Sequence, residues 1–305
     1  MNRPIRTLDA ESAARHRAGL LAGLGAYGLW GLLPIYFKLL PGVSALELVA
    51  HRIVWSVVFL AFVVAGYRLW PALIAVCRQP RLLGALTLSS VLIAINWAVY
   101  MWAIETDHIV AGSLGYFLNP LVNVLLGTLV LKETLKRGQL IAVLIAGAGV
   151  AILAVGEWQM LWISLSLAVS FAFYGLVRKL TPVSAAVGLS VETIILAPVA
   201  LAYLYWLSTQ GALMFGRAPL LSLGLIGTGA ITAIPLMLFA RAARSLPLVT
   251  LGLMQYIAPS IQFFVGILLY GETLSSGRWA SFALIWAALA LFVWDSLRGR
   301  PRAAA

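Results

Sequence analysis

Three ionisable residues lie close together in one strongly apolar stretch of the sequence. Glu47, His51 and Arg52 fall within residues 46–66, most of which are apolar. Glu47 and His51 are four positions apart, so a helix places them on one face, and Trp55 continues that face one turn further. Arg52 lies about 100° around the helix from His51. His51 suits proton transfer near neutral pH, whereas Arg52 suits binding of an anionic group.

A further acid, Glu192, lies in another apolar stretch, residues 188–207. Charged groups within hydrocarbon cost at least about 2.5 kcal/mol, so they usually face a cavity or a partner. Aligning the two halves of the chain places Glu192 opposite His51, where the two could meet. One interpretation is that these groups bind a solute or carry a coupling proton. The alternative is fixed structural pairing, of Glu47 with His51 or Arg52 and of Glu192 with Arg52.

Polar and aromatic side chains occupy several other apolar stretches. The candidates for lining a solute pathway are Asn96, Tyr100, Tyr116, Asn119, Asn123, Tyr174, Gln255 and Tyr256. Hydrogen bonding between helices is the alternative role for such residues. An aromatic wall suited to a ring-bearing solute would be formed by Tyr27, Trp30, Phe171 and Tyr174.

Two prolines, Pro120 and Pro259, interrupt apolar stretches at related positions. A proline within a helix removes one backbone hydrogen bond and bends the helix. Paired bends of this kind serve either as gates or as fixed features that shape packing, and the sequence leaves both readings open.

Membrane-spanning helices must position these residues. Hydrophobic residues form 62% of the 305-residue chain and charged residues 10%, whereas soluble domains carry about 25% charged residues. About 20 apolar residues are needed to cross the hydrocarbon core. Ten segments qualify: 19–38, 46–66, 82–103, 109–130, 139–156, 159–178, 188–207, 219–240, 248–269 and 278–297. The sequence therefore predicts an all-α integral membrane protein with ten transmembrane helices.

The distribution of Lys and Arg predicts the orientation of these helices. With a cytoplasmic N-terminus, seventeen of the 21 basic residues lie on the cytoplasmic side and three on the other, which leaves Arg52 within a span. Cytoplasmic loops of membrane proteins carry such an excess of positive charge. We therefore expect a multi-pass protein of the inner membrane, with both terminal tails, residues 1–18 and 298–305, in the cytoplasm.

An internal repeat relates the two halves of the chain. A shift of 139 positions aligns Leu114, Pro120, Gly127 and Glu133 with Leu253, Pro259, Gly266 and Glu272. The two acids each begin a Glu-Thr-Leu turn, which we interpret as a structural helix connection. Each half holds five predicted spans, an odd number, so residues 157–297 form a repeat inverted relative to residues 19–156. Inverted repeats are typical of carriers that expose a midplane site to each side in turn.

Four runs of sequence resemble RarD proteins. They are Leu-Gly-Tyr-Phe-Leu-Asn-Pro-Leu-Val-Asn at 114–123, Phe-Ala-Phe-Tyr-Gly-Leu-Val-Arg-Lys at 171–179, His-Arg-Ile-Val-Trp-Ser at 51–56 and Gln-Tyr-Ile-Ala-Pro at 255–259. RarD proteins belong to the EamA branch of the drug/metabolite transporter superfamily, and the resemblance extends over residues 19–297. It implies a ten-helix secondary carrier of the bacterial inner membrane, often labelled a chloramphenicol-sensitivity protein. That label does not define the natural solute.

Several other function classes lack the sequence motifs they need. No G-x-x-x-x-G-K-[ST] loop occurs, so ATP hydrolysis is not expected. No H-E-x-x-H or G-x-S-x-G motif indicates an intramembrane protease or a lipase-like enzyme. We expect no nucleic-acid partner, because the basic residues are scattered singly between apolar runs. Cys77 is the single cysteine, so a Cys-rich metal site is not expected, and we expect no cofactor.

The predicted function is gradient-driven or exchange transport of a small organic solute by alternating access. A membrane channel and a membrane-embedded enzyme are the alternatives. The bilayer and the solute are the expected partners, together with a proton if transport is coupled. Small residues of the fifth span allow close packing against a neighbouring helix or against a second subunit. The sequence is therefore compatible with a homodimer. These residues are Ala142, Ala146, Gly147 and Gly149.

Overall fold

The computed structural model describes residues 5–106, 108–155, 158–270 and 276–298. Over these ranges the chain forms twelve α-helices and one short 3₁₀-helix. The α-helices are α1 (Ile5–Lys38), α2 (Ala45–Gly66), α3 (Trp70–Cys77), α4 (Pro80–Glu105), α5 (Ile109–Leu129), α6 (Arg137–Val155), α7 (Leu161–Leu180), α8 (Ala185–Thr209), α9 (Pro219–Ser245), α10 (Leu248–Met254), α11 (Ile257–Tyr270) and α12 (Ser276–Arg298). The prediction of an all-helical protein is confirmed for the described part of the chain.

Within the described ranges, eight segments are long and apolar enough to cross a membrane. They are Ala13–Lys38, Ala45–Gly66, Pro80–Ala103, Arg137–Ala154, Leu161–Leu180, Ala185–Thr209, Pro219–Ser245 and Leu248–Leu269. The other two predicted spans, 109–130 and 278–297, coincide with helix α5 and with the shorter apolar segment Trp279–Asp295 of α12. The protein is therefore a multi-pass membrane protein, and the count of ten spans stays a prediction.

Two helical features differ from the sequence expectations. Helix α1 begins at Ile5, so most of the predicted N-terminal tail continues the first helix instead of forming a separate segment. Helix α3, at Trp70–Cys77, was not predicted. Its eight residues span only about 12 Å, too short to cross a membrane. The end of α2 and the start of α4 therefore lie at the same end of the bundle.

The predicted span 248–269 is divided into α10 and α11 at Gln255 and Tyr256. Pro259 cannot donate a backbone hydrogen bond to the carbonyl of Gln255, and its ring crowds that carbonyl. The amide of Ala258 instead donates to Gln255 O at 3.3 Å, a tighter pattern than an α-helix uses. Pro120, the counterpart of Pro259 under the repeat, lies within the continuous helix α5.

Helix packing brings the two halves of the chain together throughout the bundle. The main packed pairs are α6 with α12, α5 with α7 and α10, α1 with α9 and α11, α2 with α8 and α9, and α4 with α7 and α8. The small residues of α6 pack mainly within the chain, since Gly149 O accepts a hydrogen bond from Ser281 of α12 at 2.7 Å and Ala142 and Ala146 are fully buried.

Candidate functional site

A cavity of about 620 Å³ extends from the middle of the bundle to one end. Most of its lining residues come from the later parts of α1, α4 and α6, the early parts of α2, α5 and α12, and the α10–α11 break with the helix that follows it. Phe171 of α7 and Leu236 of α9 complete the lining. Short connections make successive helices antiparallel, so these parts share one end, where α1 ends and α5 begins. We call it the open end. The closed end is the opposite one, where α5, α7 and α9 terminate and α10 begins.

Arg52 places a positive charge in the wall of the cavity. Its Nε donates to Thr232 Oγ1 of α9 at 3.0 Å. Its guanidinium carbon lies 4.9 Å from the centroid of the Trp97 ring and 5.7 Å from that of Phe37. Stacking on aromatic rings stabilises a cation. Among the described residues, Arg52 donates a hydrogen bond only through Nε, which leaves its terminal guanidinium nitrogens for another ligand. Within the described ranges, no carboxylate lies at salt-bridge distance from Arg52.

Four more of the predicted pathway residues line the same cavity: Asn96, Tyr100, Tyr116 and Gln255. The rings of Tyr100 and Tyr116 meet edge to face, with centroids 5.5 Å apart. Asn96 is held by α7, because its Nδ2 donates to Leu167 O at 2.9 Å and to Ser170 Oγ at 3.1 Å. Pro259 also contributes to the lining.

The structure brings the expected aromatic side chains together at the inner part of the cavity. Trp30 lies 5.6 Å from Tyr27 and 5.8 Å from Phe171, measured between ring centroids. All three line the cavity. Tyr174 stacks on Phe239 behind this layer and does not reach the cavity. The cavity thus combines a flat apolar wall with the positive charge of Arg52.

Glu47, His51 and Trp55 share the helix face that the sequence predicts, but that face points away from the cavity. Glu47 Oε1 lies 3.6 Å from His51 Nε2 and accepts a hydrogen bond from the backbone N–H of Met214 at 2.7 Å. The rings of His51 and Trp55 lie 5.3 and 5.8 Å from the ring of Phe215. This stripe therefore holds the connection between α8 and α9, and its neighbour Arg52 turns toward the cavity.

Glu192 has a different partner from those the sequence suggested. Its carboxylate lies 3.4 Å from Arg178 Nη1, accepts a hydrogen bond from Ser89 at 2.5 Å, and accepts one from Tyr174 at 3.4 Å. The expected meeting of Glu192 with His51 or Arg52 is wrong. Arg178, one of the basic residues counted on the cytoplasmic side, is 1% exposed. Gly188 makes room for it, because a Cβ there would overlap the guanidinium.

The remaining predicted residues form a polar chain that joins α5 to α7 and α10 beneath the cavity. Asn119 Nδ2 donates to Ala168 O at 3.0 Å. Asn123 Nδ2 donates to Asn119 Oδ1 at 2.7 Å and to Gln255 Oε1 at 3.1 Å. Tyr256 donates its hydroxyl to Phe117 O at 3.2 Å. These bonds fix the helices on both sides of the α10–α11 break, and through Gln255 they reach the cavity wall.

The sequence did not predict two residues that contact Arg52. Thr232 and Phe37 lie on α9 and α1, far from Arg52 in the chain, and neither stands out locally. Gln262, which the repeat aligns with Asn123, is one of the polar residues that the sequence places in the same apolar stretch as Gln255. It lines the cavity and donates to Trp30 O at 3.1 Å.

Comparison with known proteins identifies the family. The EamA-like transporter family matches residues 17–155. Protein RarD of Streptomyces exfoliatus is 44% identical over 294 residues, which cover 95% of this chain and 92% of that protein. The chain belongs to the EamA-like transporter family, among the RarD proteins. An uncharacterized transporter of Vibrio cholerae is 42% identical over 293 residues, 96% of each chain.

The fold also has a counterpart among solved structures. A crystal structure with 18% sequence identity matches with a TM-score of 0.70 and covers 92% of this chain and 99% of that one. The 44% identity with protein RarD confirms the resemblance to RarD proteins that the sequence suggested. The protein is a multi-pass membrane protein of a transporter family.

Proposed function

We propose that the protein is a secondary transporter that moves a small anionic or zwitterionic organic solute by alternating access. The observation that carries the proposal is Arg52, a positive charge fixed between aromatic rings in a cavity that opens at one end of the bundle. A carboxylate can bind the free guanidinium nitrogens, and a flat apolar group can pack on Trp30 and Phe171.

The packing of the helices supports two inverted five-helix repeats, residues 19–156 and 157–297. The five helices of the first repeat, α1, α2, α4, α5 and α6, correspond in order to α7, α8, α9, α10–α11 and α12 of the second. With this correspondence, each of the following contacts in the bundle has an equivalent contact between the corresponding helices. Contact of α1 with α9 corresponds to contact of α7 with α4, and contact of α2 with α9 to contact of α8 with α4. Contact of α5 with α7 corresponds to contact of α11 with α1. A pseudo-twofold arrangement of this kind suits alternating access.

The proposed setting is the bacterial inner membrane, with ten spans and both termini cytoplasmic. The excess of basic residues in the loops of the closed end supports this orientation. The open end then faces away from the cytoplasm. An ion gradient or solute exchange supplies the energy, and the buried His51 and Glu192 are the candidate proton carriers.

The direct test is uptake and counterflow of labelled monocarboxylates, amino acids and neutral aromatic solutes in proteoliposomes, with and without a pH gradient. Arg52→Gln should raise the KM for an anionic solute at least about tenfold, because a hydrogen bond to a charged group contributes about 1.5–3 kcal/mol. Arg52→Lys should recover only part of the loss, since lysine lacks the planar fork of donors.

Arg241→Gln is the matched control, because Arg241 is an exposed residue of α9 away from the cavity. We expect it to transport like the unmodified chain. Saturable flux of anions with the same KM in Arg52→Gln as in the unmodified chain would contradict the assigned anion site. Flux that does not saturate would contradict a carrier and favour a channel.

A further inference from the structure

A carboxylate from one half of the chain holds the start of a helix from the other half at the closed end. Glu133 follows α5, and its two oxygens accept hydrogen bonds from the backbone N–H groups of Leu248 and Val249 at 2.8 and 3.0 Å. Leu248 and Val249 are the first residues of α10. The amino end of a helix carries unsatisfied N–H groups and partial positive charge, so a carboxylate is stabilised there.

Lys179 extends this contact to a third and a fourth helix. Lys179 lies in the last turn of α7, with its Nζ 3.9 Å from Glu133 Oε1. The same Nζ donates to Ala243 O at 3.2 Å and to Leu246 O at 2.5 Å, at the end of α9. The Glu133 and Lys179 side chains are only 17% and 20% exposed, so solvent screens the pair weakly.

The backbones of α5 and α10 approach so closely here that side chains are excluded between them. A Cβ on Gly127 would lie 2.8 Å from Glu133 Oε2 and 3.1 Å from the Val249 side chain. A Cβ on Gly252 would lie 2.9 Å from Pro120 O. Every residue of α10 is buried. Glu133 therefore lies on a tightly packed seam between the two halves, directly below the cavity.

We propose that Glu133 is the positioning residue that keeps the closed end shut while the cavity is open at the other end. The inference rests on the proposed alternating access. Opening the closed end requires α10 to leave α5, and this movement must break both Glu133 bonds and the contact with Lys179. Glu133 thereby favours the conformation described here over its inward-open alternative.

Two cysteine reporters test this proposal without any solute, in a Cys77→Ser background. Val249→Cys is the seam reporter, because Val249 is 3% exposed and packs against Gly127. Ser113→Cys is the cavity reporter, because Ser113 is exposed in the cavity wall at the open end. A membrane-impermeant maleimide is applied to oriented vesicles from either side, and initial labelling rates are compared with and without Glu133→Gln.

We expect Glu133→Gln to raise labelling of the seam reporter from the closed end at least about tenfold, because loss of a hydrogen bond to a charged group shifts an equilibrium by about that factor. Labelling of the cavity reporter from the open end should fall in the same variant. Gln139→Ala is the matched control. Gln139 lies in the first turn of α6 and accepts a hydrogen bond from the backbone N–H of Lys136 at 3.0 Å, so its bond stays within its own half of the chain.

The outcomes separate this inference from its alternatives. Opposite changes at the two reporters, absent from Gln139→Ala, support the positioning role. Faster labelling of both reporters from both sides indicates unfolding, and unchanged labelling indicates a merely structural cap; either result overturns the proposal. Saturable uptake together with unchanged labelling would refute the role of Glu133 and leave the proposed transport intact.

Discussion

At the scale of single residues, the burial of Arg178 shows how a side chain near a helix end can point into the protein. Arg178 lies in the last turn of α7, where sequence position alone suggests a loop cation. Its side chain instead reaches Glu192 of α8, and both are almost fully buried. An ion pair in such surroundings is sensitive to loss of one partner, because the other charge stays buried without compensation.

Gly188 should therefore tolerate alanine poorly. A methyl group there overlaps the Arg178 guanidinium, so Gly188→Ala should lower stability by about 1–3 kcal/mol through overpacking. Gly147→Ala in α6 is the matched control, since a Cβ at Gly147 meets nothing within 4 Å. Helix propensity predicts a neutral or stabilising effect at that position. Thermal unfolding of both variants in detergent checks the prediction, and equal melting temperatures would contradict the packing argument.

At the scale of helices, Pro120 and Pro259 show the limit of local sequence signals. Both align under the repeat, and both were predicted to bend their helices. Only the segment that contains Pro259 divides into two helices, whereas α5 continues through Pro120. Helix α10 is held by Glu133 and by the Asn123–Gln255 hydrogen bond, which are contacts from α5 and from the connection that follows α5. Local sequence therefore locates the prolines, and tertiary contacts decide their effect.

Pro259→Ala should impair transport more than Pro120→Ala. An alanine at position 259 supplies the missing N–H for Gln255 O and favours one continuous helix, which would move Gln255 in the cavity wall. We expect Pro259→Ala to lower the initial uptake rate at least about threefold with no loss of thermal stability, because alanine is favoured over proline within a helix. Comparable uptake by the two variants would indicate that the break only shapes packing.

Sequence reasoning predicted the elements well and the partners of the polar residues unevenly. Apolar runs of about 20 residues locate helices because length and composition dictate membrane crossing. The fixed geometry of a helix likewise predicted the contact of Glu47 with His51. In the structure, Glu47 Oε1 lies 3.6 Å from His51 Nε2. The Thr232 contact of Arg52 joins two helices distant in sequence, and nothing local encodes which helices pack together. Glu272, the counterpart of Glu133 under the repeat, lies outside the described residues.

At the scale of the whole molecule, the proposed orientation makes opposite ends accessible from opposite sides of the membrane. Cys77 ends α3 and is exposed, and α3 lies at the closed end with the exposed Arg68, Arg78 and Arg81. Basic residues of this kind remain on the cytoplasmic side. Ser208 is exposed near the end of α8, at the opposite end of the bundle.

A membrane-impermeant maleimide should therefore label native Cys77 in inside-out vesicles and leave it unlabelled in intact spheroplasts. In a Cys77→Ser background, Ser208→Cys should show the reverse pattern, because an odd number of predicted crossings separates α3 from the end of α8. Labelling of both positions from the same side would overturn the ten-span topology. Labelling of each from the side opposite to that expected would preserve the number of crossings and invert the orientation, so the cavity described here would open to the cytoplasm.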